Sequence, residues 1–294
     1  MQILVTGGTG FIGQALVPAL VGAGYEVMIL SRSHHQGEQG VRYLLDLDSL
    51  PASTHIDAII NLAGASLAGK RWNDAYKREI VSSRIDTTRA IVELVKRLDT
   101  TPGVLLNASA IGYYGPSDDS PLDESVMAGN GFSAELCDEW EQEAVRAESE
   151  GVRVCLLRLG VVLDAGGGAL TEMAQPFRMG VANWIGDGKQ YLSWVHRADV
   201  VAAVLFLLEH EALSGPFNVT APAPVTSREL CAALKQRLRT LVTLPMPGAV
   251  MRLMVGEMAD ELLITGQRVV PAALTAAGFE FRHSDIDSAL AASL

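Results

Sequence analysis

The sequence predicts an α/β fold: a doubly wound parallel sheet with helices on both faces, a smaller second lobe and a helical C-terminal extension. Three observations carry that prediction. The chain opens on MQILVTGGTGFIG, in which Ile3, Leu4 and Val5 lead at once into Thr6, Gly7, Gly8, Gly10 and Gly13 and then a helix-like stretch. Short apolar runs then alternate with amphipathic stretches of helical period along most of the chain, the pattern of a parallel sheet. Near residue 241 the alternation stops, Pro245 and Pro247 break the chain, and the remainder reads as helix without strong strands.

Taken in order, residues 3–5 form the first strand and 11–23 the helix after it, closed by Gly22 and Gly24. Pro18 removes one backbone donor from that helix. A second strand covers 26–30 and ends in Ser31, Arg32 and Ser33. Residues 34–55 read as a polar loop with a short apolar patch at Asp46 and Leu47. The strand over 58–62 runs straight into Ala63 and Gly64. Arg71, Trp72 and Asn73 open a long helix whose apolar positions, from Tyr76 and Ile80 to Leu94 and Val95, recur at helical spacing. A strand over 104–108 ends at Ser109, with Tyr113, Tyr114 and Gly115 close behind and an acidic loop over 116–123. A helix over 133–149, a strand over 153–159, a glycine loop over 166–168, a helix around 200–208 and a strand over 217–219 complete a main unit of residues 1–240. The extension, 241–294, holds helical stretches at 249–255 and 272–277.

Composition excludes several classes. The 294 residues are 49% apolar and 19% charged, which is globular. A net charge of −11 and a pI of about 5.0 argue against sequence-independent nucleic-acid binding and against anionic membrane surfaces. The longest clean apolar run, 200–208, is far shorter than the roughly 20 residues of a spanning helix. Cys137, Cys155 and Cys231 are widely spaced with no metal-ligand pattern, so they read as reduced thiols in a cytoplasmic protein with no metal. No basic-then-apolar leader precedes the first strand, so no secretory signal is expected.

The opening segment fits a nucleotide pyrophosphate. A helix N-terminus offers unpaired N–H groups and the positive end of its dipole, and glycine lets the backbone come close. Gly7, Gly10 and Gly13 are therefore candidate cofactor contacts, with Thr9 in the same turn. The second strand end refines this. An NAD-selective site places a carboxylate there for the ribose 2′-hydroxyl. Here Ser31 can donate a hydrogen bond and Arg32 can pair with a phosphate, which points to NADP; the alternative is that Arg32 is an ordinary solvated surface residue. Ala63 and Gly64 either let the chain pass close to the dinucleotide or make an ordinary strand-to-helix turn.

TGGTGFIG, Asn61 to Gly64, Ser109 four residues before Tyr113, and Pro121 to Glu124 together resemble the extended short-chain dehydrogenase/reductases. Gly186-Asp-Gly188, Trp194 to His196, Asp199 and Gly215 to Asn218 look like the later half of the same group. Tyr113-Tyr114-Gly115, with Gly266 to Pro271 and Ala277 to Phe279, narrows the resemblance to its sugar-nucleotide epimerase-like "epimerase family protein" branch, over essentially the whole chain. The resemblance implies a Rossmann-type NADP domain with a substrate lobe drawn from its C-terminal half, acting on a small polar molecule. It implies that Phe11 and Ile12 approach the pyrophosphate beside Gly7, Gly10 and Gly13, that Ser31 and Arg32 take the 2′-phosphate, that Leu62 and Ala63 lie along the adenosine and ribose, that Glu79 and Arg84 add contacts, and that Val162 approaches the nicotinamide.

In that group catalysis uses Tyr-x-x-x-Lys on the helix after the fifth strand, the Lys lowering the phenol's pKa. This chain has neither. Phe132 or Ser133 stands where the Tyr is expected, and Leu136 or Cys137 where the Lys is expected. Ser109 and Tyr113 remain as candidate catalytic residues, Tyr113 either as a substitute acid or as a packing aromatic. Lys189, Gln190 and Tyr191 form a polar stretch suited to face a substrate. Two function classes follow: an NADP-dependent epimerase or reductase with an altered site, or a redox-state sensor that keeps the cofactor and lacks turnover.

Overall fold

The computed structural model describes residues 1–37 and 39–294. Near-continuous apolar runs become its central strands because a parallel sheet is covered on both faces and leaves no side for polar residues. β1 (Gln2–Thr6), β2 (Glu26–Leu30), β3 (Val41–Leu44), β4 (Ala58–Asn61), β5 (Val104–Ala110), β6 (Arg153–Leu159) and β7 (Gly215–Val219) form one seven-stranded sheet, all parallel, in the order β7-β6-β5-β4-β1-β2-β3. The order turns at β1 and β4, which places a crevice beyond the C-terminal ends of those strands.

The main helices are α1 (Gly13–Gly22), α2 (Asp74–Arg97), α3 (Phe132–Val145), α4 (Gly168–Arg178) and α5 (Arg197–Glu209). Strand side chains alternate between faces. Ile3, Val5, Ile60, Leu106 and Leu157 pack with Leu16, Leu20, Val204 and Leu207 of α1 and α5. Leu4, Ile59, Leu105 and Val154 face the other way, onto Ile91, Val95 and Ala144 of α2 and α3. α2 is the best specified helix: Asn73 caps it by accepting from the Tyr76 N–H at 2.8 Å, and Lys96 and Arg97 meet the negative end of its dipole.

The second lobe gathers α4, α6 (Ser227–Arg237) and α9 (Ile286–Ser293) around fully buried Trp194, with Phe177, Leu230, Leu234 and Leu290. Its strands are short pairs: Val161–Leu163 with Trp194–His196, Tyr191–Leu192 with Val225–Thr226, and Val181–Ile185 with Val242–Met246. α7 (Gly248–Val255) and α8 (Ala272–Ala276) complete the C-terminal segment.

Two elements differ from expectation. The loop expected over 34–55 contains β3, a four-residue edge strand with no buried side chain, so it lacks the apolar run that marks a central strand. Residues 242–246, expected without a strand, pair in parallel with 181–185; Pro245 hides this, because proline in a strand reads as a break. Among the described residues no helix is long and apolar enough to cross a membrane.

Candidate functional site

The glycine turn joins β1 to α1 at the C-terminal edge of the sheet. Gly7 has φ +68°, and a Cβ there would collide with the Leu62 carbonyl that follows β4. A Cβ on Gly13 would collide with the Gly7 and Gly8 backbone. Both positions therefore require glycine, and the chain they create is a groove floored by backbone. The turn closes through Gly10 N–H to the Gly7 carbonyl at 2.9 Å. α1 carries no side-chain cap; Gln14 and Ala15 N–H already bond the carbonyls of Gly10 and Ile12, and among the described residues the Gly13 N–H has no partner and is available to an anion. Thr9 and Gly10 are exposed, and Phe11 and Ile12 half-buried. Ser31 is buried at the end of neighbouring β2, its hydroxyl accepting from the Ser33 N–H at 3.2 Å, and Arg32 is exposed beside it. Leu62 and Ala63 press against Gly7, so the turn, Ser31–Arg32 and the segment after β4 meet along one edge, with no carboxylate at the end of β2.

A polar ladder lies beneath this groove. Thr6, Asn61 and Asn107 stand in register on β1, β4 and β5. The Thr6 hydroxyl donates to Asn61 Oδ1, and Asn61 Nδ2 donates to Asn107 Oδ1 at 2.6 Å and to Thr88 Oγ1 at 2.8 Å. Trp140 Nε1 donates to the same Thr88 hydroxyl at 2.9 Å. Asn61 Oδ1 also accepts from the Ala63 N–H at 3.2 Å and so fixes the exit from β4. The three ladder side chains and Thr88 are buried, and their mutual bonds offset the cost of burying them. Arg84 supports the same exit from above, donating to the carbonyls of Ile80 and Ala65, at 3.0 and 3.2 Å, and crowding Gly64. Burial holds its guanidinium below the ordinary value. Glu79 is exposed and ion-paired with Lys70 at 3.2 Å.

Beyond β5 the structure assembles residues that are far apart in sequence. Ser109 donates to Glu141 Oε1 at 2.6 Å, and Arg158 grips the same carboxylate with Nε and Nη2, both at 2.8 Å. Arg158 Nη1 donates to the Tyr114 hydroxyl at 3.0 Å, which donates to Asn218 at 2.7 Å. Asn218 Nδ2 then reaches the Val270 carbonyl at 3.0 Å, so the network ends in the C-terminal segment. Burial alone would lower Arg158, but the Glu141 carboxylate outweighs it and the guanidinium is raised. Burial pushes the Tyr114 phenol up. This corrects the expectation for Ser109: its hydroxyl is committed to a buried ion pair. Tyr113 differs. Its ring lies 3.5 Å under the Arg158 guanidinium, and among the described residues its hydroxyl has no hydrogen-bond partner while keeping contact with solvent. Glu141 and Arg158 were missed from sequence, although a charge inside the apolar strand VCLLRL is a signal that buried arginines leave.

At the start of α3 the missing Tyr is replaced by packing. Phe132 meets Trp72 edge-on at 5.3 Å, with Lys77 Nζ 4.6 Å over its face. Ser133 N–H donates to Glu261 of the C-terminal segment at 3.1 Å. Leu136 and Cys137 are buried, and burial together with Glu141 pushes the Cys137 thiol up to about 12. Val162 is half-buried and paired with Val195 across the short parallel strands. Gln190 and Tyr191 line a cavity of about 330 Å³ with Pro116 to Asp119 and Ile264 to Gly266; Lys189 is outside that lining. His196 caps α5 through its Nδ1, and its ring lies 4.1 Å from that of His283. Arg197 joins the two lobes: it pairs with Asp164, donates to the Phe11 carbonyl at 3.2 Å and lies over the Phe11 ring. Among the described residues no cluster suits a metal ion.

Comparison with known proteins agrees with this fold. The NAD dependent epimerase/dehydratase family matches residues 3–220, and a domain of unknown function, DUF1731, matches 246–293. An epimerase family protein of Mycobacterium bovis is 39% identical over 290 residues, 98% of this chain and 96% of the relative. The crystal structure of human epimerase family protein SDR39U1 with NADPH aligns at TM-score 0.88 and 33% identity, covering 99% of this chain and 98% of that one. MoeE5, solved with UDP-glucuronic acid and NAD, aligns at TM-score 0.78 over 100% of this chain and 97% of its own, and at 21% identity it speaks for the fold alone.

Proposed function

Since the chain belongs to the NAD dependent epimerase/dehydratase family, we propose that it is an NADP(H)-dependent epimerase or reductase acting on a small polar substrate, with a proton donor other than the usual Tyr and Lys. The observation that carries the cofactor is the groove itself: glycine at 7 and 13 where a Cβ would collide, a Gly13 N–H without a partner among the described residues at the start of α1, and Ser31–Arg32 in place of a carboxylate. The relative solved with NADPH, 33% identical, supports NADP over NAD. NADPH when bound supplies the hydride chemistry. The turn holds the pyrophosphate through backbone N–H groups, Arg32 meets the 2′-phosphate, and Leu62, Ala63 and Gly64 line the nucleoside.

Tyr113 is the residue placed to hold the proton. Arg158 fixes its ring and leaves its hydroxyl without a protein partner. Ser109 acts through Glu141 and Arg158, keeping that ring in place. A sugar nucleotide is the substrate class that the family resemblance suggests, and the cavity beside Gln190 and Tyr191 can hold its far end. Three buried free thiols and the absence of a membrane-length helix among the described residues suit a cytoplasmic protein.

A second reading has its own observation. Phe132 and Leu136, built into the core where a Tyr and a Lys are expected, suit a redox-state sensor that binds NADP(H) without turnover. One experiment separates the two. The enzyme transfers deuteride stereospecifically from labelled NADPH to a member of a carbonyl and sugar-nucleotide panel. Stoichiometric NADPH binding with no transfer across the panel, and a protein partner that changes between NADP+ and NADPH, decides for the sensor.

A further inference from the structure

The C-terminal segment returns to the first domain through residues Ala259–Ile264, a single π-helical turn, which is a rare shape found often at functional sites. Met258, Leu262 and Leu263 hold it against Trp72, Leu136 and Trp140. Gln190 Nε2 fixes it from the second lobe by donating to the Leu263 carbonyl at 3.1 Å. Three acidic residues lie on or beside this turn. Glu257 pairs with Lys77 at 2.6 Å, and Asp260 with Arg252 at 2.8 Å. Among the described residues Glu261 pairs with no cation; its Oε2 accepts from the Ser133 N–H at 3.1 Å and its Oε1 accepts from no donor. Gly131 makes room for that free oxygen: it has φ +105°, and a Cβ there would stand 3.0 Å from Oε1.

Strand order says what this carboxylate faces. The 2′-phosphate belongs at the end of β2, beside Arg32, and the pyrophosphate at the end of β1, on the glycine turn. A dinucleotide running on in that direction passes the end of β4 and carries its nicotinamide over β5, about 14 Å from β2 at the ordinary strand spacing. β5 ends in the turn Ile111–Tyr114. Ser133 packs on that turn, its Cβ 3.2 Å from where a Cβ on Gly112 would lie. The Ser133 N–H that holds Glu261 therefore stands at the nicotinamide end of the groove. The other charges around it are already engaged: Glu141 by Arg158, Lys77 by Glu257, and Arg84 by the carbonyls of Ile80 and Ala65.

We infer that Glu261 is the carboxylate that faces the nicotinamide and sets which redox state of the cofactor the site prefers. The role rests on the NADP(H) site proposed above and adds to it a residue from the C-terminal segment. An oxidised nicotinamide ring carries a positive charge and a reduced ring carries none. A carboxylate without a cation of its own attracts the first and leaves the second nearly unaffected. Glu261 is half-buried, so salt screens that attraction less than it would at the surface. The site accordingly holds NADP+ more tightly, relative to NADPH, than the same fold without the charge.

The test is a titration of the full chain with NADPH, followed by its fluorescence, and with NADP+ in competition. Glu261→Gln keeps an oxygen for the Ser133 N–H and removes the charge. Its expected effect is an NADP+ dissociation constant raised about fivefold or more, with NADPH affinity within about twofold of wild type and melting temperature unchanged. Glu261→Asp draws the carboxylate back by one methylene and moves the ratio of the two constants the same way by a smaller factor, which decides the matter if the glutamine variant does not fold. Glu257→Gln, on the same segment but engaged by Lys77, leaves the ratio unchanged. A ratio that stays put or moves the other way in the Glu261 variants, or that moves as far in Glu257→Gln, overturns the role of Glu261 and leaves the cofactor site standing. A wild type that binds neither form overturns both. None of these readouts depends on turnover.

Discussion

Arg32 and Arg158 show how far single residues can be read. Arg32 was legible because it follows a strand, and the question at that strand end is only whether a carboxylate stands there. A charge-assisted bond to the 2′-phosphate contributes about 1.5–3 kcal/mol. Arg32→Glu is therefore expected to weaken NADPH binding by tenfold to somewhat over a hundredfold while changing NADH little; equal weakening of both in a fluorescence titration removes the argument. Arg158 was not legible, since its partners Glu141 and Tyr114 lie on α3 and in the turn after β5, and only the sheet register brings Ser109 opposite it. Breaking one side of a buried ion pair leaves the other charge uncompensated, at about 3–5 kcal/mol. Glu141→Gln should lose stability on that scale in urea unfolding, and the double variant Glu141→Leu, Arg158→Met should lose less than the two single changes added together. The three thiols give a further check at this scale. All are buried and burial pushes each one up, Cys137 to about 12 and Cys155 to about 11. A thiol reagent should label none of them in the native protein and all three in denaturant.

At the level of elements, those with local causes were read and those with tertiary causes were not. β1, the glycine turn and α1 announce themselves because each glycine answers a local steric demand. Gly13→Ala has an ordinary backbone conformation but no room, so the turn must open. The expected outcome is at least a tenfold loss of NADPH affinity by titration, with a smaller fall in melting temperature. α2 was found from its period, and its Asn73 cap confirms the start. β3 was missed because it sits at a sheet edge, where side chains are not forced inward and no apolar run is required, and strand Val242–Met246 because Pro245 reads as a break. The polar ladder of Thr6, Asn61 and Asn107 was missed for a related reason. Each residue ends or lies within an apolar strand, and only the lateral register shows that they answer one another.

For the whole molecule, pH dependence follows from His196, which packs between the lobe and the C-terminal segment with His283, Asp164, Asp199 and Arg197 around it. Burial and then His283 hold it below its ordinary value of 6.5, against the pull of the two carboxylates. Above that pH the ring is neutral whether folded or not. As pH falls through it, the unfolded chain takes up a proton that the folded one refuses, so stability falls. Melting temperatures near pH 7.5 and pH 5.5 should differ, and His196→Gln should narrow the gap. A final consequence concerns Phe11. By sequence it belongs to the nucleotide turn; by contact it belongs equally to the other lobe, because a Cβ on Gly167 or Gly168 would press into its ring and Arg197 covers it. Two compartments that share one side chain exchange free energy through it, and such exchange is symmetric. Whatever factor NADPH adds to the second lobe's grip on the proposed substrate, that substrate must return to NADPH. Titrating the two in either order therefore closes the same thermodynamic square.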